Sequence, residues 1–183
     1  MVYSNVSLQR YAAGERNFER VKIYGFNKSA LVNANLSKVN LRFVRFGISD
    51  LTGCNLSGAD LTEAWMESLC LVGANLSRAN LTGADLYRGS LRDADLSYAN
   101  LTGAKLYIDM VRANLTGAIL RDAKLDDSSL RYANLTSADL TGAIFSINVL
   151  TYTNLTNAIV EGVNWGRVRF DNTIMPDGSI RNQ

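Results

Sequence analysis

Large apolar residues recur at every fifth position along most of the chain: Leu31, Leu36, Leu41, Phe46, Leu51, Leu56, Leu61 and Met66 open a run that continues to Leu106. A second run starts at Leu115 and keeps the same step through Leu120, Leu125, Leu130 and Leu135 to Trp165 and Phe170. Two positions before most centres stands a small residue, as in Ala59, Ala74, Ala79, Ala84 and Ala94, and later Ala113, Ala118, Ala123 and Ala133. Asn or Asp commonly precedes the centre, and Ser or Thr commonly follows it. A five-residue period matches neither a helix at 3.6 nor a strand at 2.0, because either would spread the centres around every face. It fits a coil that turns a corner every five residues, with the centre and the small residue inward and the other three outward. Stacked coils then bury Leu on Leu and Ala on Ala while their backbones pair about 4.8 Å apart.

The outward positions give the number of sides per coil. A spacing of twenty aligns Asn35, Asn55, Asn75 and Asp95, then Asn114, Asn134 and Asn154, with Ser37, Ser57, Ser77, Ser97, Thr116, Thr136 and Thr156 beside them. Four sides per coil follow. The step from Asp95 to Asn114 is nineteen, one short, which predicts a four-residue side centred on an inward Met110. Loss of a whole side would have moved Asn114 to another face and broken both columns.

The A(N/D)LXX pattern, clearest in AlaAsnLeu at 79–81, 99–101, 113–115 and 133–135 and AlaAspLeu at 84–86, 94–96 and 138–140, resembles the pentapeptide-repeat family over roughly residues 16–172. That resemblance implies an all-β fold, a right-handed quadrilateral β-helix whose hand comes from the family, with about seven coils and a length of about 35 Å. Residues 1–15 are expected to form an N-terminal cap and 173–183 a C-terminal turn and tail. In the cap, Ser4 or Asn5 starts a short helix in which Leu8, Tyr11 and Ala12 share a face and Gly14 ends it. TyrAlaAlaGlyGluArgAsnPhe at 11–18 resembles the segment leading into the repeat in cyanobacterial members. Phe18 and Ile23 are the first two centres, and the eight residues to Leu31 predict an excursion near Phe26 to Lys28. MetProAspGly at 175–178 has turn chemistry, after which the tail folds back or frays. Inside the coils, Leu69 is large for its position, Gly89 leaves room, and Asn148 and Thr153 must bond to corner carbonyls.

Composition narrows the chemistry. The 183 residues carry 19 basic and 17 acidic side chains, no His, 2 Cys and 1 Pro, with a net charge of +2. A zinc cluster, a histidine-based catalytic site and a disulfide scaffold are disfavoured, and no cofactor is expected. Cys54 is placed inward and Cys70 outward, so they read as two separate thiols. Without a histidine in the chain, neither Cys70 nor a serine is an activated nucleophile. Asp126 and Asp127 lie on a solvated face, where nothing raises one carboxyl for acid–base work. The Asn-Leu-Ser/Thr sequons are by-products of the repeat, since their Leu is buried. No apolar stretch approaches a membrane span, and the N-terminus lacks the pattern of a signal peptide. The cyanobacterial resemblance implies a cytoplasmic member, or a thylakoid-lumen one if a targeting segment has been removed.

One face departs from the small polar pattern. The side centred on Phe46, Met66, Leu86, Leu106, Leu125, Phe145 and Trp165 is expected to present Ile48, Trp65, Tyr87, Tyr107, Ile108, Ile144 and Ile147 outward as an apolar band. The next side adds Val72, Val111, Tyr132, Val149 and Tyr152. A column aligned by the repeat is contiguous, and contiguous apolar surface marks binding sites. The expected function is a non-enzymatic scaffold that binds a protein partner or itself through Trp65, Tyr87, Tyr107, Ile108, Ile144 and Ile147. Coil reinforcement by the same residues weighs about equally. The alternative is a DNA-mimicking regulator of a type II topoisomerase, which some relatives are. A charge of +2 disfavours both that and direct nucleic-acid binding, as no Lys/Arg column is present.

Overall fold

A computed structural model of the chain describes residues 9–23, 31–47, 49–146 and 148–183. Each five-residue side is a β-turn followed by a bridge. The carbonyl of a centre accepts the N–H three residues on, as Leu76 does from Ala79 at 3.0 Å. The third turn residue is left-handed, whether Gly, as at Gly73 (φ 64), or a bulky residue, as at Arg78 (φ 58) and Tyr98 (φ 59). That is the φ requirement of a type II turn. A bulky residue there costs roughly 1–2 kcal/mol, and hydrogen bonds to both neighbouring coils hold it in place. In one side, Leu76 N–H donates to Asp95 O at 2.7 Å, Arg78 N–H to Ser97 O at 2.9 Å, and Asn75 N–H to Cys54 O at 2.9 Å.

The residue before each centre bridges in parallel to its equivalent twenty positions on, or nineteen where the coil includes the four-residue side, which produces four ladders. They run Asn35–Asn55–Asn75–Asp95–Asn114–Asn134–Asn154, Asn40–Asp60–Asn80–Asn100–Ile119–Asp139–Ile159, Arg45–Trp65–Asp85–Lys105–Lys124–Ile144–Asn164, and Asp50–Cys70–Ser90–Asp109–Ser129–Val149. Longer pairing occurs in parallel between β1 (Lys22–Ile23) and β2 (Arg45–Phe46), and between β3 (Val149–Thr151) and β4 (Arg169–Asp171). At the C-terminus, β5 (Thr173–Ile174) and β6 (Ile180–Arg181) pair antiparallel, so the tail folds back. The centres from Leu51 to Leu155 and the alanines two positions before them are buried.

The nineteen-residue step behaves as the columns require, with Met110 fully buried and Asn114 bridging both Asp95 and Asn134. Ile108 is the correction. Expected outward in the apolar band, it is 3% exposed. Asp109 bridges Ser90 and Ser129, so it is the residue before the centre Met110. Ile108 therefore holds the inward place two before that centre. The residue missing from this side is the left-handed corner after Tyr107, and its loss moves Ile108 from an outward to an inward position. Gly89, one coil below, makes room for it: a Cβ there would stand 3.1 Å from Ile108 Cδ1.

The inward Asn148 and Thr153 are bonded as their burial demands, whereas the buried Ser49 hydroxyl finds no partner among the described residues. Asn148 donates to Leu125 O and to Ser128 Oγ (2.7 Å) and accepts the Ser146 N–H at 3.0 Å, while Thr153 Oγ1 donates to Leu130 O at 2.8 Å. Residues 9–12 are helical and Gly14 follows at φ 93. The Tyr11 hydroxyl donates to Asn35 O, tying this turn to the first coils. The expected helix start at Ser4 or Asn5, Leu8, and the excursion near Phe26 to Lys28 lie outside the described residues. Asn17 and Lys22 pair with Asn40 and Arg45, 23 positions on, so three extra residues lie between these coils. At the far end Trp165 stacks on Phe145 (5.0 Å) and meets Phe170 edge-on (5.4 Å), with the Arg181 guanidinium 4.0 Å above Phe170.

Candidate protein-binding face

The Asn-rich ladders are occupied by their own turns. Asn75 Oδ1 accepts the Ser77 N–H at 2.9 Å and its hydroxyl at 2.7 Å, and Asn134 Nδ2 donates to Thr116 Oγ1 one coil below at 3.0 Å. The same bonding recurs at Asn80, Asn100, Asn114 and Asn154. These side chains satisfy one another, and the Asn35 ladder, which keeps Asn or Asp in every coil, is a flat polar surface with little to offer a partner.

The Trp65 ladder differs. Trp65 is 53% exposed, Tyr87 and Ile144 are each 37% exposed, and Tyr107 is half-buried. Ile108 faces the core, and Ile48 and Ile147 lie outside the described residues. The expected continuous band is also interrupted: Asp85, Lys105 and Lys124 stand between Trp65 and Ile144 on the ladder. The surface is an aromatic patch with a separate isoleucine, and reading the position before each centre as its own column would have revealed the break. Exposed Ile119 and Ile159 on the Asn40 ladder went unremarked in the sequence for the same reason. On the adjoining side Val149 is exposed, Val72 and Val111 are half-buried, and Tyr132 and Tyr152 stack at 5.1 Å with rings 5° apart.

Within the aromatic patch, Trp65, Glu67, Asp85, Tyr87, Lys105 and Tyr107 enclose a groove of about 140 Å³. Tyr87 and Tyr107 meet edge-to-face at 5.6 Å and 72°. Arg45 stacks over Trp65 at 4.5 Å and Arg88 over Tyr87 at 5.0 Å. Lys105 Nζ bonds Asp85 Oδ2 at 2.9 Å, and that hydrogen bond and charge hold the lysine above its ordinary value. Partial burial, then the neighbouring Asp126 carboxylate, push the Tyr107 hydroxyl up. A groove of this size is below the roughly 300–1,000 Å³ of small-molecule and cofactor sites and suits one side chain of a partner. Among the described residues no His/Cys/Asp/Glu group is arranged to hold a metal ion. Cys54 and Cys70 are free, with Cys54 buried and Cys70 half-exposed, its Sγ 3.2 Å from Thr52 Oγ1. Among the described residues no helix is long and apolar enough to cross a membrane.

Comparison with curated proteins finds no match. Among solved structures, a trypsin-treated form of QnrB1, a plasmid-mediated fluoroquinolone resistance protein, is 20% identical, with 86% of this chain and 88% of that one covered at a TM-score of 0.60. This likeness concerns the fold. HetL, a pentapeptide repeat protein involved in heterocyst differentiation regulation from the cyanobacterium Nostoc sp. strain PCC 7120, is 27% identical, covering 99% of this chain and 100% of its own at a TM-score of 0.45. A pentapeptide repeat protein of the Arabidopsis thaliana thylakoid lumen is 28% identical over 61% of this chain and 70% of its own, with a TM-score of 0.41. The family profile for pentapeptide repeats matches in eight copies, over residues 29–67, 40–77, 74–107 and 108–146. With its four bridged ladders and five-residue turns, the chain belongs to the pentapeptide-repeat family.

Proposed function

We propose that this protein is a non-enzymatic rod, a right-handed quadrilateral β-helix with the hand of its family, that binds another protein or a second copy of itself through the Trp65 face. The carrying observation is the exposed aromatic groove of Trp65, Tyr87 and Tyr107 on a backbone bonded to both neighbouring coils. Large rings held in line lose little ordering entropy on association, which is the condition for an interface anchor. The described part of the N-terminal cap, residues 9–15, and the C-terminal turn and tail at 173–183 flank the rod, and the free thiols suit the cytoplasm, where such thiols stay reduced. The test is sedimentation velocity, with affinity capture from cells of the source organism, on wild type and on the double variant Trp65→Ser/Tyr107→Lys. Both side chains point outward, so circular dichroism should be unchanged while association is lost. Association equal to wild type would sink the reading, and a charge placed on the Asn ladder at Ser77→Lys is the control that should retain it.

The DNA-mimic alternative requires a dense one-signed field, whereas carboxylates of the coils are paired to cations of their neighbours: Asp60 with Arg42, Asp85 with Lys105, Asp93 with Arg112, Asp109 with Arg92 and Asp139 with Arg121. A gyrase supercoiling assay at micromolar protein is expected to show no effect. Potent, salt-sensitive inhibition would reverse the ranking.

A further inference from the structure

We infer that the groove on the Trp65 ladder receives an arginine side chain of the partner protein, an assignment that rests on the interface reading above and specifies its chemistry. The groove is walled by three aromatic rings and carries three charges. Two of them, Lys105 and Asp85, neutralise each other at 2.9 Å. The third, Glu67, is exposed and has no ion-pair partner among the described residues. Glu67 is therefore the one carboxylate of the lining outside an ion pair, set among π faces of which two already carry the Arg45 and Arg88 guanidiniums, and a flat, weakly hydrated cation is the group that suits both features.

Guanidinium meets these conditions better than ammonium. It stacks on Trp and Tyr faces and can present two parallel donors to one carboxylate, whereas lysine is a compact, strongly hydrated point charge. The chain already shows these rings accepting guanidinium, with Arg45 over Trp65 and Arg88 over Tyr87. Trp65 remains 53% exposed with Arg45 in place, so ring surface is left for a second group. An acidic segment would meet Glu67 and Asp126 with like charge, and a purely apolar one would bury Glu67 without a counter-ion.

Trp65 and Trp165 are the only tryptophans, so Trp165→Phe leaves Trp65 as the sole reporter at the groove. Its fluorescence is titrated with acetyl-Gly-Arg-Gly-amide, with the lysine analogue, and with the citrulline analogue, which keeps the shape and loses the charge. The arginine peptide is expected to saturate the signal, the lysine peptide to bind more weakly, and the citrulline peptide not to bind. Glu67→Gln should weaken the arginine peptide by about fivefold, the upper range for an exposed ion pair, and Tyr87→Ala by a similar factor. Equal binding of the citrulline and arginine peptides, no saturable response, or an unchanged affinity in Glu67→Gln overturns the assignment. If that happens while Trp65→Ser/Tyr107→Lys still abolishes association, the interface stands and only its guanidinium occupant falls.

Discussion

Replacing Gly89 with the alanine that the repeat favours at its position should destabilise the protein. Gly89 is two residues before the centre Leu91, where neighbouring sides carry Ala74, Ala79, Ala84 and Ala94. Its φ is not in the left-handed region, so the backbone itself would accept Ala. At such a site Gly→Ala normally stabilises by about 0.4–1 kcal/mol through the unfolded chain. Here the new Cβ would stand 2.6 Å from Leu69 O and 3.1 Å from Ile108 Cδ1. Overpacking of this kind costs about 1–3 kcal/mol, so the net loss should be about 1–2 kcal/mol. Guanidinium titration should show a lower midpoint at unchanged slope, and Tm should fall by about 2–8 °C at this chain length. Ile108→Val, itself costing about 0.5–1.5 kcal/mol, removes the Cδ1 contact but leaves the nearer carbonyl. Gly89→Ala should therefore keep most of its cost in that background. Equal or greater stability of Gly89→Ala would refute the close coil approach that explains the four-residue side.

Leu81→Ala should lose about 2–5 kcal/mol as a fully buried stacked residue, while Thr82→Ala forfeits one side-chain bond to Asn80 Oδ1 and should cost about 1 kcal/mol or less. Equal losses in denaturant titration would contradict the inward assignment. Thiol titration of the native protein should find one reactive group, Cys70. Burial pushes the Cys54 thiol up to about 12, so two fast thiols would mean that the register at Cys54 is wrong. Acid should destabilise the protein through Asp60 and Asp139. Burial raises each carboxyl, but bonds from Thr62 and Arg42, and from Thr141 and Arg121, outweigh it and hold the values low. Depressed carboxylates stabilise above their unfolded value of about 3.9, and that contribution is lost as pH falls through the native values. Asp139→Asn keeps an oxygen for the Thr141 turn and should flatten stability against pH below about pH 4, so an unchanged acid limb would count against this account.

The coil, its four sides and the inward Met110 were legible because burial repeats with a fixed period, and a wrong register would scatter Leu, Ala and Asn over all faces. The place of the lost residue was not. A step of nineteen does not reveal whether a corner or a bridge position is missing, and only the bridge at Asp109 shows that Ile108 moved inward. The aromatic groove was half legible. Trp65, Tyr87 and Tyr107 follow from counting outward positions, but charge continuity does not, because Asp85 and Lys105 occupy the same ladder as Trp65 and pair only across a coil step. The role of the Asn columns is likewise a matter of turn hydrogen bonds that periodicity alone does not express.

The ladder position also separates interface from reinforcement. An Asn or Asp before the centre accepts its turn's N–H, and the Asn35 ladder keeps such a residue in every coil from Asn35 to Asn154. The Trp65 ladder abandons it at Arg45, Trp65, Lys105, Lys124 and Ile144, and the adjoining one at Cys70 and Val149. None of those seven has an oxygen to offer, so each forgoes a bond worth about 0.5–1.5 kcal/mol. Residues that break a local rule without a structural gain are where function is expected. Trp65 does gain the Arg45 stack, worth about 0.5–1 kcal/mol at an exposed site. Trp65→Asn removes that stack and restores the turn bond, two changes of similar size, so stability should move by no more than about 1 kcal/mol in either direction. Partner association, measured on the same preparation, should be lost. A destabilisation above about 2 kcal/mol with association retained would assign the ring to coil reinforcement, and the stacked Tyr132 and Tyr152 would then be the stronger candidates for contact.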